Sequence, residues 1–246
     1  MIIKGWIIIF EMDQYERLRL VIGDEKVNLL RTKKVLIFGL GGVGGHAVDA
    51  LARSGIMDFT IVDNDKVNIA NINRQLIANL DTIGKFKVDV MAKHILSINK
   101  DIKVTKHAMF YLPSESKIFD FSKYDYVIDA IDTVSAKIDI IMKCKEVGTP
   151  IISALGCGNK LDPTKLEITD IYKTSYDPLA KVMRTELRKR KVKSLKVVCS
   201  TESPSKAKVM KDPETNKAIP GSTALVPSVA GIMMASEVIK EFVLKK

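Results

Sequence analysis

Val35 to Gly39 is an apolar strand that runs straight into Gly39, Gly41 and Gly44, and a stretch of helical composition follows from Val43 to Arg53. A strand, a G-x-G-x-x-G turn and a helix in immediate succession leave few folds open. The glycines permit the tight turn and let backbone N–H groups at the helix start approach an anion. A second strand, Phe59–Val62, ends at Asp63. A carboxylate there can accept hydrogen bonds from ribose hydroxyls. This context predicts a nucleotide site and leaves its occupant open, because NAD and ATP share the ribose and the phosphates.

The same rhythm continues. Helical composition from Gly84 to Asn99, an apolar strand over Tyr126–Ala130, a helix from Ser135 to Glu146 stopped by Gly148 and Pro150, and a strand over Ile151–Ala154 predict an α/β doubly wound, Rossmann-like sheet. After Gly158 the pattern changes. Strands are expected at Leu166–Asp170 and Leu195–Cys199, which makes the second half of the sheet mixed or antiparallel. A helix from Pro178 to Arg190, capped by Asp177, separates them. Ser200 to Ser222 reads as a mobile loop, and a last helix is expected over Ser228–Leu244. The 246 residues, with 46% hydrophobic and 28% charged, suit a globular chain. With no clean linker, a single domain is expected over 15–246, with a nucleotide-binding half (15–158) and a substrate and dimerisation half (159–246). Residues 1–14 read as an extension, with Met12 as an alternative start. Neither that segment nor Ala224–Ala235 is long enough to span a bilayer, so a soluble, cytoplasmic protein is expected.

The residues after Asp63 favour ATP over NAD. Asn71, Asn73 and Arg74 follow it closely, Lys87 opens the next helix, and Asp132 stands just past the Tyr126 strand. Two cations can offset charge on a phosphorus under attack and on a leaving pyrophosphate. One carboxylate with nucleotide oxygens is a usual seat for Mg²⁺. Hydride transfer needs none of this. Taken singly, each residue has the surface ion pair as its plain alternative, and Lys87 alone is equally compatible with one.

The motifs GLGGVGG, IVDNDKVNIANINRQ, GKFKVD and IDAIDT, in this order, resemble the adenylyltransferases related to ubiquitin-activating enzymes, from about Tyr15 to the C-terminus. The resemblance implies ATP-dependent adenylation of a carboxylate. It implies nucleotide-binding roles for Gly39, Gly41, Gly42, Gly44, Asp63, Asp65, Asn71, Asn73, Arg74, Lys87 and Asp132. Arg74, Lys87 and Asp132 are the catalytic candidates, and Asp132 is the metal candidate for Mg²⁺. Arg17 looks like the early arginine that in homodimers reaches the neighbouring subunit's ATP. Sulfur-carrier activators of this family usually carry two C-x-x-C pairs for zinc. This chain has only Cys144, Cys157 and Cys199, in no such pair, so no zinc is expected, and the sparse set fits a reducing compartment. Residues 161–190 resemble the tRNA threonylcarbamoyladenosine dehydratase branch, which activates the threonyl carboxylate of a modified adenosine beside the anticodon. In that chemistry the activated acyl group is attacked within its own side chain, and AMP leaves.

The net charge is +10, and much of the surplus is local. From Lys181 to Lys196, Glu186 is the only acid. Leu179, Met183 and Leu187 form an apolar stripe. Lys181, Arg184, Arg188 and Lys191 form a basic one, suited to a phosphate backbone. Charge alone is equally compatible with a solvated helix face, and the resemblance favours tRNA. The expected partners are tRNA, a second copy of the chain and a sulfur-transfer or other helper protein. The rival readings are an adenylyltransferase for the C-terminal glycine of a ubiquitin-like or sulfur-carrier protein, and a non-catalytic nucleotide-binding scaffold. Cys199 has no visible base beside it and reads as structural.

Overall fold

The computed structural model describes residues 3–4, 7–8, 13–205, 210–211 and 218–244. Two short strands, β1 (Ile3–Lys4) and β2 (Ile7–Ile8), pair antiparallel within the N-terminal extension. Met12 lies outside the described residues. Helices α1 (Glu16–Ile22) and α2 (Asp24–Arg31) come next. They are followed by β3 (Lys34–Phe38), α3 (Gly44–Arg53), β4 (Asp58–Val62), α4 (Lys87–Ile98), β5 (Lys103–His107) and β6 (Tyr126–Asp129). Then come α5 (Val134–Val147), β7 (Ile151–Ala154), β8 (Leu166–Asp170), α6 (Pro178–Lys189), β9 (Lys196–Ser200), β10 (Met210–Lys211), β11 (Ala218–Ile219) and α7 (Leu225–Leu244).

Seven strands form one sheet in the order β5-β4-β3-β6-β7-β9-β8. All neighbours are parallel except β8, which runs antiparallel to β9. This is the α/β Rossmann-like sheet with a mixed second half that the patterning predicts. The central strands are apolar on both faces because helices cover both. In β3, Val35 and Ile37 pack with Val48 of α3, Met91 of α4 and Met234 of α7. Leu36 and Phe38 point the other way, towards Ile141 of α5 and Met183 of α6.

Some boundaries and elements differ from expectation. The helix expected from Gly84 starts at Lys87, because Gly84 has φ +82° and Phe86 is extended. The last helix begins at Leu225, its first turn accommodating Pro227, whose missing N–H is no loss there. β5, an edge strand reading Lys-Val-Thr-Lys-His, escapes the apolar pattern. So does α2, although it buries Val27 and Leu30. The expected loop at 200–222 is partly structured: Ser200 closes β9, and β10 pairs with β11. Residues 206–209 and 212–217 of it lie outside the described residues.

Candidate active site

β3 and β6 are neighbours, but the chain leaves them in opposite directions, to β4 on one side and β7 on the other. Their C-terminal ends form a crevice at this switch point, the usual place for a ligand in an open parallel sheet. A cavity of about 550 Å³ opens there. Gly39 has φ +89°, and a Cβ on it would lie 2.6 Å from the Ala130 carbonyl oxygen. A Cβ on Gly44 would lie 1.8 Å from the Gly39 oxygen. Only glycines bring the turn and α3 this close to β6. Val43, ahead of α3, supplies no side-chain cap, and although Gly45 N–H donates to the Gly41 carbonyl at 3.1 Å, the helix start can receive an anion.

Asp63 follows β4 directly. Its carboxylate accepts from the N–H of Leu40 at 2.6 Å and of Asp65 at 2.8 Å, which couples it to the glycine turn. Burial pushes its pKa above the usual carboxylate value, against the opposing pull of the Lys87 charge. Lys87, the first residue of α4, is buried, and its Nζ lies 2.7 Å from Asp65 Oδ2. Asn71 is buried, and its Oδ1 accepts from Asn68 N–H at 3.2 Å. Arg74 donates to the Ala70 carbonyl at 2.8 Å and to Asn73 Oδ1 at 3.0 Å, while Asn73 Nδ2 donates to the Ser222 carbonyl at 2.9 Å. Asp132 is exposed at the end of the loop that leaves β6.

Gly39, Gly41, Gly42, Asp63, Asp65, Asn71, Arg74, Lys87 and Asp132 all line this one cavity. Gly44 and Asn73 stand behind the lining, the first as a close-approach position and the second as a brace for Arg74. Arg17 is exposed on α1 and does not line the cavity of its own chain.

Below the Asp132 loop lies a buried ion pair. Lys137 Nζ sits 2.9 Å from Asp129 Oδ2 and donates to the carbonyls of Ile131 (3.0 Å) and Ala154 (2.8 Å). Ser153 Oγ donates to the same carboxylate oxygen at 2.6 Å. The ammonium thus ties the ends of β6 and β7 together.

Sequence reasoning missed two parts of the site. Gln75 is only 6% exposed, and its Oε1 has no hydrogen-bond partner among the described residues although it lines the cavity. A buried acceptor without a partner is costly, and a ligand donor would satisfy it. Its place in Asn-Arg-Gln was the available signal. Met109, Phe110 and Tyr111 form an apolar wall. They follow the edge strand that the pattern did not reveal.

The thiols are poor nucleophile candidates. Burial pushes Cys157 up to about 11 and Cys199 up to about 12, so thiolate is scarce at neutral pH. Among the described residues, no group of three or more His, Cys, Asp or Glu is placed to hold a metal. The donor set at Asp132 suits Mg²⁺ shared with phosphate oxygens and water.

Helix α6 is capped by Asp177, whose Oδ1 accepts from Ala180 N–H at 3.0 Å. Met183 and Leu187 are buried as expected, and Leu179 is half-buried at the cavity edge. The basic stripe needs correction. The helix ends at Lys189, so Lys191 does not lie on it. Val192 N–H returns to the Leu187 carbonyl and Lys191 N–H to that of Arg188, with Lys191 at φ +58°, a Schellman stop that buries Val192. Lys181 and Arg188 are exposed, and Arg188 lies 5.0 Å over the Tyr172 ring. Arg184 is half-buried and donates to the Thr174 carbonyl at 3.0 Å.

Comparison with known proteins agrees with the fold. The ThiF family profile matches residues 15–246. A tRNA threonylcarbamoyladenosine dehydratase of Bacillus subtilis is 42% identical over 245 residues, covering 94% of each chain. The Escherichia coli tRNA N6-threonylcarbamoyladenosine dehydratase TcdA in complex with AMP superposes with a TM-score of 0.83 at 31% identity, over 95% of this chain and 97% of that one. Its complex with ATP gives 0.82, over 93% of each.

Proposed function

The chain belongs to the ThiF family, and from that premise we propose that it is an ATP-dependent tRNA threonylcarbamoyladenosine dehydratase. The observation that carries this is one cavity at the β3–β6 switch point lined by Asp63, Arg74, Lys87 and Asp132, in a chain that matches a dehydratase over nearly its whole length. Residues 15–246 serve as the adenylation domain.

In this reading Asp63 accepts from the ribose hydroxyls, and the start of α3 receives the phosphates with Asn71. Gln75 Oε1 accepts from a hydroxyl or amino group of the nucleotide. Asp132 would hold Mg²⁺, whose charge would screen the repulsion between nucleotide and carboxylate. A carboxylate oxygen of the threonyl group bonds to the α-phosphorus, and the bond to pyrophosphate breaks. Arg74 and Lys87 offset the charge that gathers there. A nucleophilic atom of the same side chain then attacks the activated carbonyl carbon and loses its proton. AMP leaves with the former carboxylate oxygen, so the nucleoside loses the elements of water. No enzyme thiol takes part, consistent with the buried cysteines.

The working form is a homodimer in the cytoplasm. Arg17 is exposed on α1 beside Leu20 and Val21, which are 74% and 79% exposed. That surface offers contacts through which Arg17 can reach the partner's cavity. Among the described residues, no helix is long and apolar enough to cross a membrane.

The test is ATP–pyrophosphate exchange and AMP release with and without threonylcarbamoyl-modified tRNA. Exchange should require the modified tRNA. Exchange triggered instead by a carrier protein with a C-terminal glycine would overturn the reading in favour of protein activation.

A further inference from the structure

The cavity has a second end that none of these ATP roles uses. It lies over β6 and β7 and is bounded by Leu155, Gly156, Cys157, Gly158, Leu179 and Pro220. The polar backbone of Gly156 is already engaged: its N–H donates to Asp177 Oδ2 at 2.7 Å, and Lys160 Nζ donates to its carbonyl at 2.8 Å. A Cβ on Gly158 would lie 2.8 Å from Pro220 Cβ, so the segment before α7 can press onto the loop only over a glycine. The result is a mostly apolar subsite bounded by Leu155, Leu179 and Pro220.

The same subsite is joined to α6. Asp177 is buried, and while one of its oxygens takes the Gly156 N–H, the other caps the first turn of α6. One carboxylate therefore links the cavity floor to the start of the helix that exposes Lys181 and Arg188.

We propose that this end of the cavity is the subsite for the target nucleoside of the tRNA, with Leu155, Leu179 and Pro220 contacting its base and ribose. The proposal rests on the dehydratase reading and names the part of the site that takes the second substrate. Three observations select this occupant. The subsite is continuous with the nucleotide end, so a carboxylate entering here meets the phosphates beside Asp132. It is apolar, as suits a base taken out of its stack, which proteins hold by packing against its faces. It also opens at the root of a cationic helix, where flanking phosphates can lie. The side chains that bound this end are uncharged, so selection operates through shape and through the carboxylate that must reach the α-phosphate.

Steady-state kinetics of Leu179→Ala and Leu179→Glu, with modified tRNA and ATP varied separately, test this. Loss of apolar contact should raise the KM for tRNA on the order of tenfold, and Leu179→Glu should raise it further by repelling the carboxylate. The Kd of Leu179→Ala for ATP, measured by calorimetry, should stay within about twofold, because that change adds no charge beside the phosphates and Leu179 is outside the nucleotide end. Melting curves establish that both variants fold. An unchanged tRNA KM in both folded variants, with wild type active, overturns the subsite alone. A wild type that releases no AMP with modified tRNA removes the activity and the subsite with it.

Discussion

Arg74 is held by Ala70 and Asn73, and Asn73 is held in turn by the Ser222 carbonyl. Protein contacts therefore hold the guanidinium at the cavity, and under the proposed function its effect belongs to the transition state. Arg74→Ala should lower turnover by about 10²–10³ and leave the melting temperature nearly unchanged, as single-turnover AMP release and calorimetry will read. Near-normal turnover in a folded variant would remove Arg74 from the catalytic set. Asp63 carries a pH signature. Burial raises its pKa, so the proton is bound more tightly in the folded chain than in the unfolded one. Its ionisation therefore opposes folding above the folded pKa, and that cost is relieved as pH falls through it. If Asp63 holds the ribose as proposed, binding needs its carboxylate, so ATP affinity should decline on acidification at higher pH than the ordinary carboxylate value of about 4. Asp63→Asn should bind ATP weakly with a flat profile over that range. A wild-type profile that stays flat down to that ordinary value would contradict the assignment. At this scale Asp63, Arg74, Lys87 and Asp132 were legible as residues of one cavity, because charged groups stand at strand and helix ends in motifs whose order the family resemblance supplies. Gln75 was not, since its orphan oxygen exists only in the folded cavity.

At the scale of elements, α6 shows what periodicity can and cannot supply. The Asp177 cap, the Pro178 start and the buried Met183 and Leu187 follow from local rules. The stop does not: the run of cations continues to Lys191 and beyond, and the helix ends because Val192 finds a buried place that a further turn would deny it. Lys191 consequently reaches solvent from a left-handed turn. The triple variant Lys181→Gln, Arg188→Gln, Lys191→Gly keeps the apolar stripe and puts a glycine where φ is positive, so it should fold well. Its tRNA affinity should fall, and the slope of log affinity against log salt should flatten by up to about three counterions, with ATP binding unaltered. An unchanged slope would show that this face is merely solvated. Arg184 is omitted because its guanidinium is engaged with Thr174, a contact that spacing does not reveal.

At the scale of the whole molecule, the cavity depends on keeping β6 and β7 in place beneath it. Lys137 and Asp129 do this from positions with no solvent exposure. Lys137→Met leaves Asp129 buried without its cation and should cost about 3–5 kcal/mol in chemical denaturation. Adding Asp129→Asn removes the stranded charge and should recover part of that loss. Equal stability of wild type and Lys137→Met would show that the pair does not hold the sheet ends. The sequence by itself determined the repeating strand–helix order, the glycine turn and the identity of the charged groups, because local sterics, side-chain periodicity and phosphate chemistry act over short spans. Tertiary structure alone decided that residues from Gly39 to Pro220 share one cavity. It also placed β9 between β7 and β8, buried Lys137 as a tie between strands, and set Leu179 of a basic helix at the open end. The strand order and the packing of both sheet faces bring distant segments together, and that proximity is settled by the burial of many side chains at once rather than by any one stretch of chain.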